Sequence, residues 1–151
     1  MIFLSCFVFS VTTLFSQSFP NNTPVRINAG GPAGTYGGVD FERGDTPAYG
    51  NNGYTYSISS SAGAIANTLV PDLYRSESYL PHLSYTVPVL DDDCYAVHLH
   101  FAEIWFNVPG GTYGAPGYRV FDVVINGETV LEDFDIMVET GTSLVALVRS
   151  F

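Results

Sequence analysis

The run from Tyr95 to Phe106, YAVHLHFAEIWF, constrains the fold more than any other part of this chain. It opens in strict alternation. Tyr95, Val97, Leu99 and Phe101 share one parity, and Ala96, His98, His100 and Ala102 share the other. A period of two over eight residues predicts a strand with one buried face, and aromatic and β-branched residues suit that pleated surface. At Glu103 the alternation breaks. Ile104, Trp105 and Phe106 then form a continuous apolar run that enters a loop, Asn107 to Gly117, with four glycines, two prolines and no charge. A bulky aromatic pair at such a junction is either a cap on the core or a platform for a ligand. Glu103 keeps the parity of Leu99 and Phe101, so it is expected to point inward. A buried charge needs a partner, and Arg26 or Arg119 is expected to supply it.

The remaining chain divides at its turn residues. Val25 to Ala29 alternates and predicts the first strand, closed by Gly30-Gly31. Pro32 to Gly53 is dense in breakers and predicts a long ordered loop. Leu73 to Tyr79 alternates and predicts a short strand or an ordered loop. Tyr85 to Val89 predicts a strand whose Pro88 marks an edge or an end, and Asp91-Asp92-Asp93 a polar turn. Arg119 to Ile125 and Glu128 to Leu131 flank Asn126-Gly127, the signature of a type I′ hairpin. Asp133 to Ile136 is expected to continue the return strand, Thr140 to Ser143 to turn, and Leu144 to Phe151 to form an apolar strand. Many short strands without a convincing amphipathic helix predict an all-β, two-sheet antiparallel β-sandwich.

At 151 residues the chain fits one domain. Its net charge of −10, with only five Lys and Arg, argues against nucleic acid and anionic membrane surfaces as partners. Residues 1–18 are mostly apolar, too short a run to span a bilayer as a helix, and small residues at Ser16 and Ser18 suit cleavage. They are expected to be an export signal, followed by a linker at 19–24 and the folded domain at 25–151. Secretion, or export to a luminal or periplasmic space, follows from that expectation, and a membrane becomes a partner only if the segment is retained. Cys6 would leave with the signal, so Cys94 implies no disulfide framework.

Several chemistries fit poorly. Gly30-Gly31-Pro32-Ala33-Gly34 lacks the G-x-G-x-x-G spacing of a dinucleotide site. The Asp91–Asp93 run lacks the spacing of an EF-hand. His98 and His100 share a strand face, but two ligands fall short of a metal site. A glycosidase needs two carboxylates across a cleft, and only Glu103 and Asp122 stand on strands near the aromatic pair. No catalysis, metal or cofactor is expected.

Laid out in order, Arg26-Ile27-Asn28-Ala29-Gly30-Gly31, Leu73 to Tyr79, Leu99 to Phe106, Arg119 to Val123 running through Asn126-Gly127, Asp133 to Ile136, and Gly141 make the chain resemble a malectin or malectin-like carbohydrate-binding domain. The resemblance covers about Val25 to Phe151. It implies a jelly-roll-like sandwich that holds a glucose-containing oligosaccharide in loops at one end, within a larger secreted protein or receptor. The family's binding aromatics fall on Tyr56 (or Tyr54 in the alternative register), Tyr79, Trp105 and Phe106. Trp105 stands where the family has tyrosine, so the sugar is expected to differ. The family pattern also runs on past Phe151, so the domain is expected to be C-terminally incomplete, and no residue here takes the family's ligand-contacting aspartate. Tyrosine and tryptophan suit a pyranose, because a flat apolar ring with a polar edge matches its C–H face and hydroxyl rim. The alternative is an extracellular protein-interaction module, as some malectin-like receptor domains are.

Overall fold

The alternation at Tyr95–Phe101 forms a strand, and the main sheet is built around it. A computed structural model describes residues 8–13, 24–44, 49, 53–87 and 94–151. Among these the strands are, in chain order, β1 (Val8–Thr13), β2 (Val25–Asn28), β3 (Gly34–Tyr36), β4 (Val39–Arg43), β5 (Tyr54–Ser57), β6 (Ser76–Tyr79), β7 (Tyr95–Phe101), β8 (Phe121–Ile125), β9 (Glu128–Phe134) and β10 (Leu147–Ser150). One short helix, α1 (Ile136–Thr140), separates the last two strands. Six strands form a sheet in the order β10-β7-β1-β2-β4-β3, antiparallel throughout except at β2–β4. The β5–β6 and β8–β9 pairs make two further antiparallel ladders. The architecture is the expected all-β sandwich, with the second layer divided into two ladders.

Strand β1 falls within the segment read as an export signal. It pairs with β2 from Val8↔Asn28 to Val11↔Val25 and with β7 from Val8↔His100 to Thr13↔Tyr95.

The inward parity of β7 carries Leu99 and Phe101, both with no exposed surface. The rings of Phe101, Phe121 and Phe134 meet with centroids 5.1–6.0 Å apart, tying β7 to the β8–β9 hairpin. A second core cluster gathers Ile58, Ile65, Leu73, Tyr74, Ile104 and Val108 under the β5–β6 ladder. The outward parity leaves His98 and His100 on the other face. His98 Nδ1 lies 2.7 Å from Ser150 Oγ, and His100 Nδ1 lies 2.7 Å from the Tyr74 hydroxyl.

Some expectations change. The predicted loop 32–53 contains the β3–β4 hairpin, whose turn residues Gly37 and Gly38 both have positive φ. Gly-Gly is a two-residue hairpin signal, and Val39-Asp40-Phe41-Glu42 alternates directly after it; the density of Gly, Pro, Asn and Asp over 30–53 masks both. Residues 85–87 form no strand, although Thr86 N–H donates to Tyr49 O at 2.9 Å. Pro88, Val89 and the Asp91–Asp93 turn lie outside the described residues. The return strand stops at Phe134, because the Asp135 carboxylate accepts from the N–H groups of Met137 (2.7 Å) and Val138 (3.2 Å) and starts α1. The last strand is shorter than its apolar run. Leu144 N–H donates to Glu103 O at 2.9 Å and Leu144 O accepts from Ala66 N–H at 2.8 Å, which holds that residue off the sheet until Leu147 joins β7.

Candidate functional site

The β5–β6 ladder places Tyr54 opposite Tyr79 and Tyr56 opposite Glu77. Those four share one face by the two-residue period. The other face turns Ser76 and Ser78, both buried, toward the main sheet. Ser76 Oγ lies 3.4 Å from Asn28 Oδ1 on β2. The approach is close enough that a Cβ on Gly30 would lie 1.9 Å from the Glu77 carbonyl oxygen, and one on Gly31 would lie 2.3 Å from Ser76 Oγ. The Gly-Gly that ends β2 is therefore a seat for β6, and it fixes where Glu77 and Tyr79 stand.

The facing wall comes from the end of β7. Glu103 is 1% exposed. Its Oε1 accepts from the backbone N–H of Trp105 (2.8 Å) and of Phe106 (2.9 Å). One inward carboxylate thus folds the aromatic pair into a tight turn. The glycine-rich loop then closes over it. Asn107 spans the loop in both directions, its Nδ2 donating to Gly114 O at 2.8 Å and its Oδ1 accepting from Gly114 N–H at 3.1 Å. Ser143 Oγ donates to Phe106 O at 2.6 Å. A Cβ on Gly114 would lie 2.3 Å from the Phe106 ring, so glycine is what lets loop and ring touch.

Between the walls stands Arg119, 3% exposed. Its NH1 lies 3.3 Å from Glu103 Oε2 and 3.5 Å from Glu77 Oε2, and its guanidinium sits 4.8 Å above the Phe106 ring centroid. The inward pairing expected of Glu103 is present, and the partner is Arg119, not Arg26. Arg119 is steadied through the preceding loop, where Gly117 N–H donates to Asp135 Oδ2 at 2.6 Å.

These elements border a small open cavity of about 80 Å³, lined by Tyr56, Glu77, Tyr79, Trp105 and Arg119. That volume is below the range of about 300–1,000 Å³ for sites that bury a whole drug-sized ligand, so the cavity has room for only part of a ligand. Tyr56 and Trp105 meet edge to face, with centroids 4.9 Å apart and planes at 84°, so the two rings form a corner. Burial, and then the nearby Glu77 charge, raise the Tyr56 phenol above its ordinary value, so it stays a neutral hydroxyl.

Three of the four aromatics named from sequence, Tyr56, Tyr79 and Trp105, thus line one cavity. Phe106 is 8% exposed and lies outside the lining, packed under Arg119 and 6.0 Å from the Tyr118 ring. Tyr54, the alternative to Tyr56, is 67% exposed and packs on Tyr79 at 5.8 Å. The sequence reading missed Glu77 and Arg119 as parts of the site. Glu77 shares parity with Tyr79, and that was its one available signal. Glu103 and Asp122, the carboxylates a glycosidase would need, are both engaged: Asp122 Oδ1 accepts from Asp133 N–H at 2.9 Å. Among the described residues, no group of three or more His, Cys, Asp or Glu side chains is placed to hold a metal ion.

A family model described as "Malectin domain" matches residues 23–151. The chain is 48% identical to Receptor-like protein 4 of Arabidopsis thaliana over 68 residues, which is 45% of this chain and 10% of that protein. It is 30% identical to Malectin of Mus musculus over 127 residues, 82% of this chain and 40% of the relative. It is 33% identical to a probable leucine-rich repeat receptor-like serine/threonine-protein kinase of Arabidopsis thaliana over 103 residues, 67% of this chain and 10% of the relative. The chain therefore spans well under half the length of each of these relatives. No solved structure matches it.

Proposed function

Because the chain belongs to the malectin-domain family, we propose that it is a non-catalytic module that binds neutral, glucose-type oligosaccharides in the cavity between the β5–β6 ladder and the Trp105 turn. The observation that carries this reading is the meeting of Tyr56, Tyr79 and Trp105 around one concave space with polar groups at its floor. A pyranose can lay its C–H face on one ring of the Tyr56–Trp105 corner and meet the other ring edge-on. Phe106 contributes from beneath by fixing Arg119 and the turn. The floor combines carboxylate and guanidinium, which suits ligand hydroxyls that both donate and accept. The engagement of Glu103 with two backbone N–H groups and Arg119 supports a binding role over hydrolysis, since a general acid or nucleophile must be free to meet the substrate. In this reading the domain works on the extracytoplasmic side, as part of a longer protein. Among the described residues no helix is long and apolar enough to cross a membrane.

Calorimetry with gluco-oligosaccharides of different linkage tests this proposal. Trp105→Ala should cost on the order of 1–2 kcal/mol, a stacked ring with its burial, which is roughly a five- to thirtyfold loss of affinity. Salt should change the affinity little, because the ligand is uncharged. Unchanged binding by a folded Trp105→Ala variant would show the platform to be elsewhere.

A protein-interaction role is the second reading. It is favoured by the exposure of Tyr113 (73%) and Tyr118 (57%) beside the site, since exposed tyrosines are common anchors at protein interfaces. A glycan array separates the two: silence across the array with the domain folded favours the protein partner.

A further inference from the structure

The two walls of the cavity belong to chain segments far apart in sequence, and one side chain touches both. Glu77 stands on β6, beside Tyr79 and opposite Tyr56. Glu103 folds the turn that carries Trp105 and Phe106. Arg119 NH1 lies within 3.5 Å of both carboxylates, and the same guanidinium caps the Phe106 ring. All three charged side chains are at most 4% exposed. Without the cation, two buried carboxylates would face each other across the cavity floor, and each wall would move to escape the repulsion and reach water. Nε and NH1 of Arg119 and Oε2 of Glu103 are buried without a hydrogen-bond partner among the described residues. The contacts are thus electrostatic and slightly long, so the cluster fixes a separation between the walls instead of closing them onto one another.

We propose that Arg119 is the positioning residue of the site: it sets the distance between the tyrosine ladder and the Trp105 turn, and so the width of the cavity. This rests on the oligosaccharide reading only for the identity of what the cavity holds. Lysine cannot substitute. Its ammonium is a point charge on a flexible stem, whereas the planar guanidinium can face two carboxylates and lie flat on a ring at once.

Trp105 is the only tryptophan in the chain, so its emission reports on the cavity wall directly and without any ligand. Arg119→Lys is expected to keep its far-ultraviolet circular dichroism while Trp105 emission shifts to the red and becomes more open to acrylamide quenching. Affinity for the best gluco-oligosaccharide should fall by about tenfold, comparable to losing one stacked ring. Arg149→Lys, at the Arg149–Glu139 pair on the surface, is the control and should change neither readout. If Arg119→Lys does not fold, Glu77→Gln takes its place: it keeps the side-chain shape, removes one of the two anchoring charges, and should give the same red shift. Trp105 emission and quenching equal to wild type, in whichever of these variants folds, would overturn the proposal. The fluorescence experiment needs no sugar. Failure of the wild type to bind any oligosaccharide would therefore defeat the ligand reading alone and leave the positioning role to be decided by Trp105.

Discussion

Acidification should weaken this fold through His100, by an amount the structure allows one to work out. His100 lies on the outward face of β7, with its Nδ1 2.7 Å from the Tyr74 hydroxyl. Burial first, and then the neighbouring His98, lower its pKa from 6.5 to about 4. A cavity on this face is lined by His100 together with Arg26, Tyr36, Phe41 and Val70, and it offers a second cation and no carboxylate. The neutral ring can accept the Tyr74 proton at Nδ1, and the imidazolium cannot. Since the folded value is below the unfolded one, the unfolded chain binds more protons between the two. Stability is therefore fully present above pH 6.5 and is lost as pH falls toward about 4. The gap between 6.5 and about 4 corresponds, at about 1.4 kcal/mol per tenfold change in proton affinity, to a loss of up to about 3 kcal/mol. Carboxylates titrate in the lower part of the same window, so the wild type alone cannot isolate the effect. His100→Gln can: the amide still accepts from Tyr74 but takes up no proton. Urea unfolding of both proteins between pH 7.5 and 4 should show the wild type losing about 2–3 kcal/mol more than the variant, with a midpoint shift on the order of 1 M. Equal losses in the two proteins would refute the reasoning, as would a His100 imidazole that titrates near 6.5 by NMR.

Other perturbations follow from the same geometry. Arg119→Met removes the cation shared by two buried carboxylates and should cost at least about 3–5 kcal/mol, read as a fall in melting temperature, whereas Glu103→Gln leaves Glu77 on the arginine and should cost less. Gly114→Ala places a methyl 2.3 Å from the Phe106 ring and should destabilise by about 1–3 kcal/mol, with a matching change in Trp105 fluorescence. Asp135→Ala takes the cap from α1 and the acceptor from Gly117 N–H, which should cost about 2 kcal/mol or more in denaturant unfolding.

What could be read from sequence tracks how local its cause is. The β7 strand, the inward turn of Glu103 and the Asn126-Gly127 hairpin depend on alternation or on a turn within a few residues, and each stands as expected. The β3–β4 hairpin escapes the sequence because the alternation at Val39-Asp40-Phe41-Glu42 is only four residues long, faces Gly34-Thr35-Tyr36, which has no such period, and lies among dense chain breakers. The stop at Phe134 was not read because Asp135 looks like any strand-end aspartate until its carboxylate meets Met137 and Val138. At the site, the resemblance supplied the aromatics by position. It could not supply the floor, because the contacts of Glu77, Glu103 and Arg119 depend on how three separate segments pack, and spacing along the chain carries no trace of that. Phe106 shows the same limit from the other side: adjacency to Trp105 suggested a shared role, and the tight turn sends the two rings to different places.

The place of β1 in the main sheet sets the order in which this protein can assemble. Its residues are made before those of every other described strand, yet it pairs along its length with β7, whose nearest matching residue, Tyr95 opposite Thr13, is more than eighty positions later. Neither β1 nor β7 has both of its neighbours until that long loop closes, and β10, the other neighbour of β7, is the last of the described strands to be made. Pairings this distant are slow to form, since loop-closure entropy is lost before any contact compensates it. Hairpins such as β8–β9, joined by two residues, can form in microseconds. The nascent chain should therefore pass through a stage with local hairpins made and the central sheet still open, exposing unpaired strand edges. Whatever acts on Val8–Thr13 during that interval competes with β7 for them.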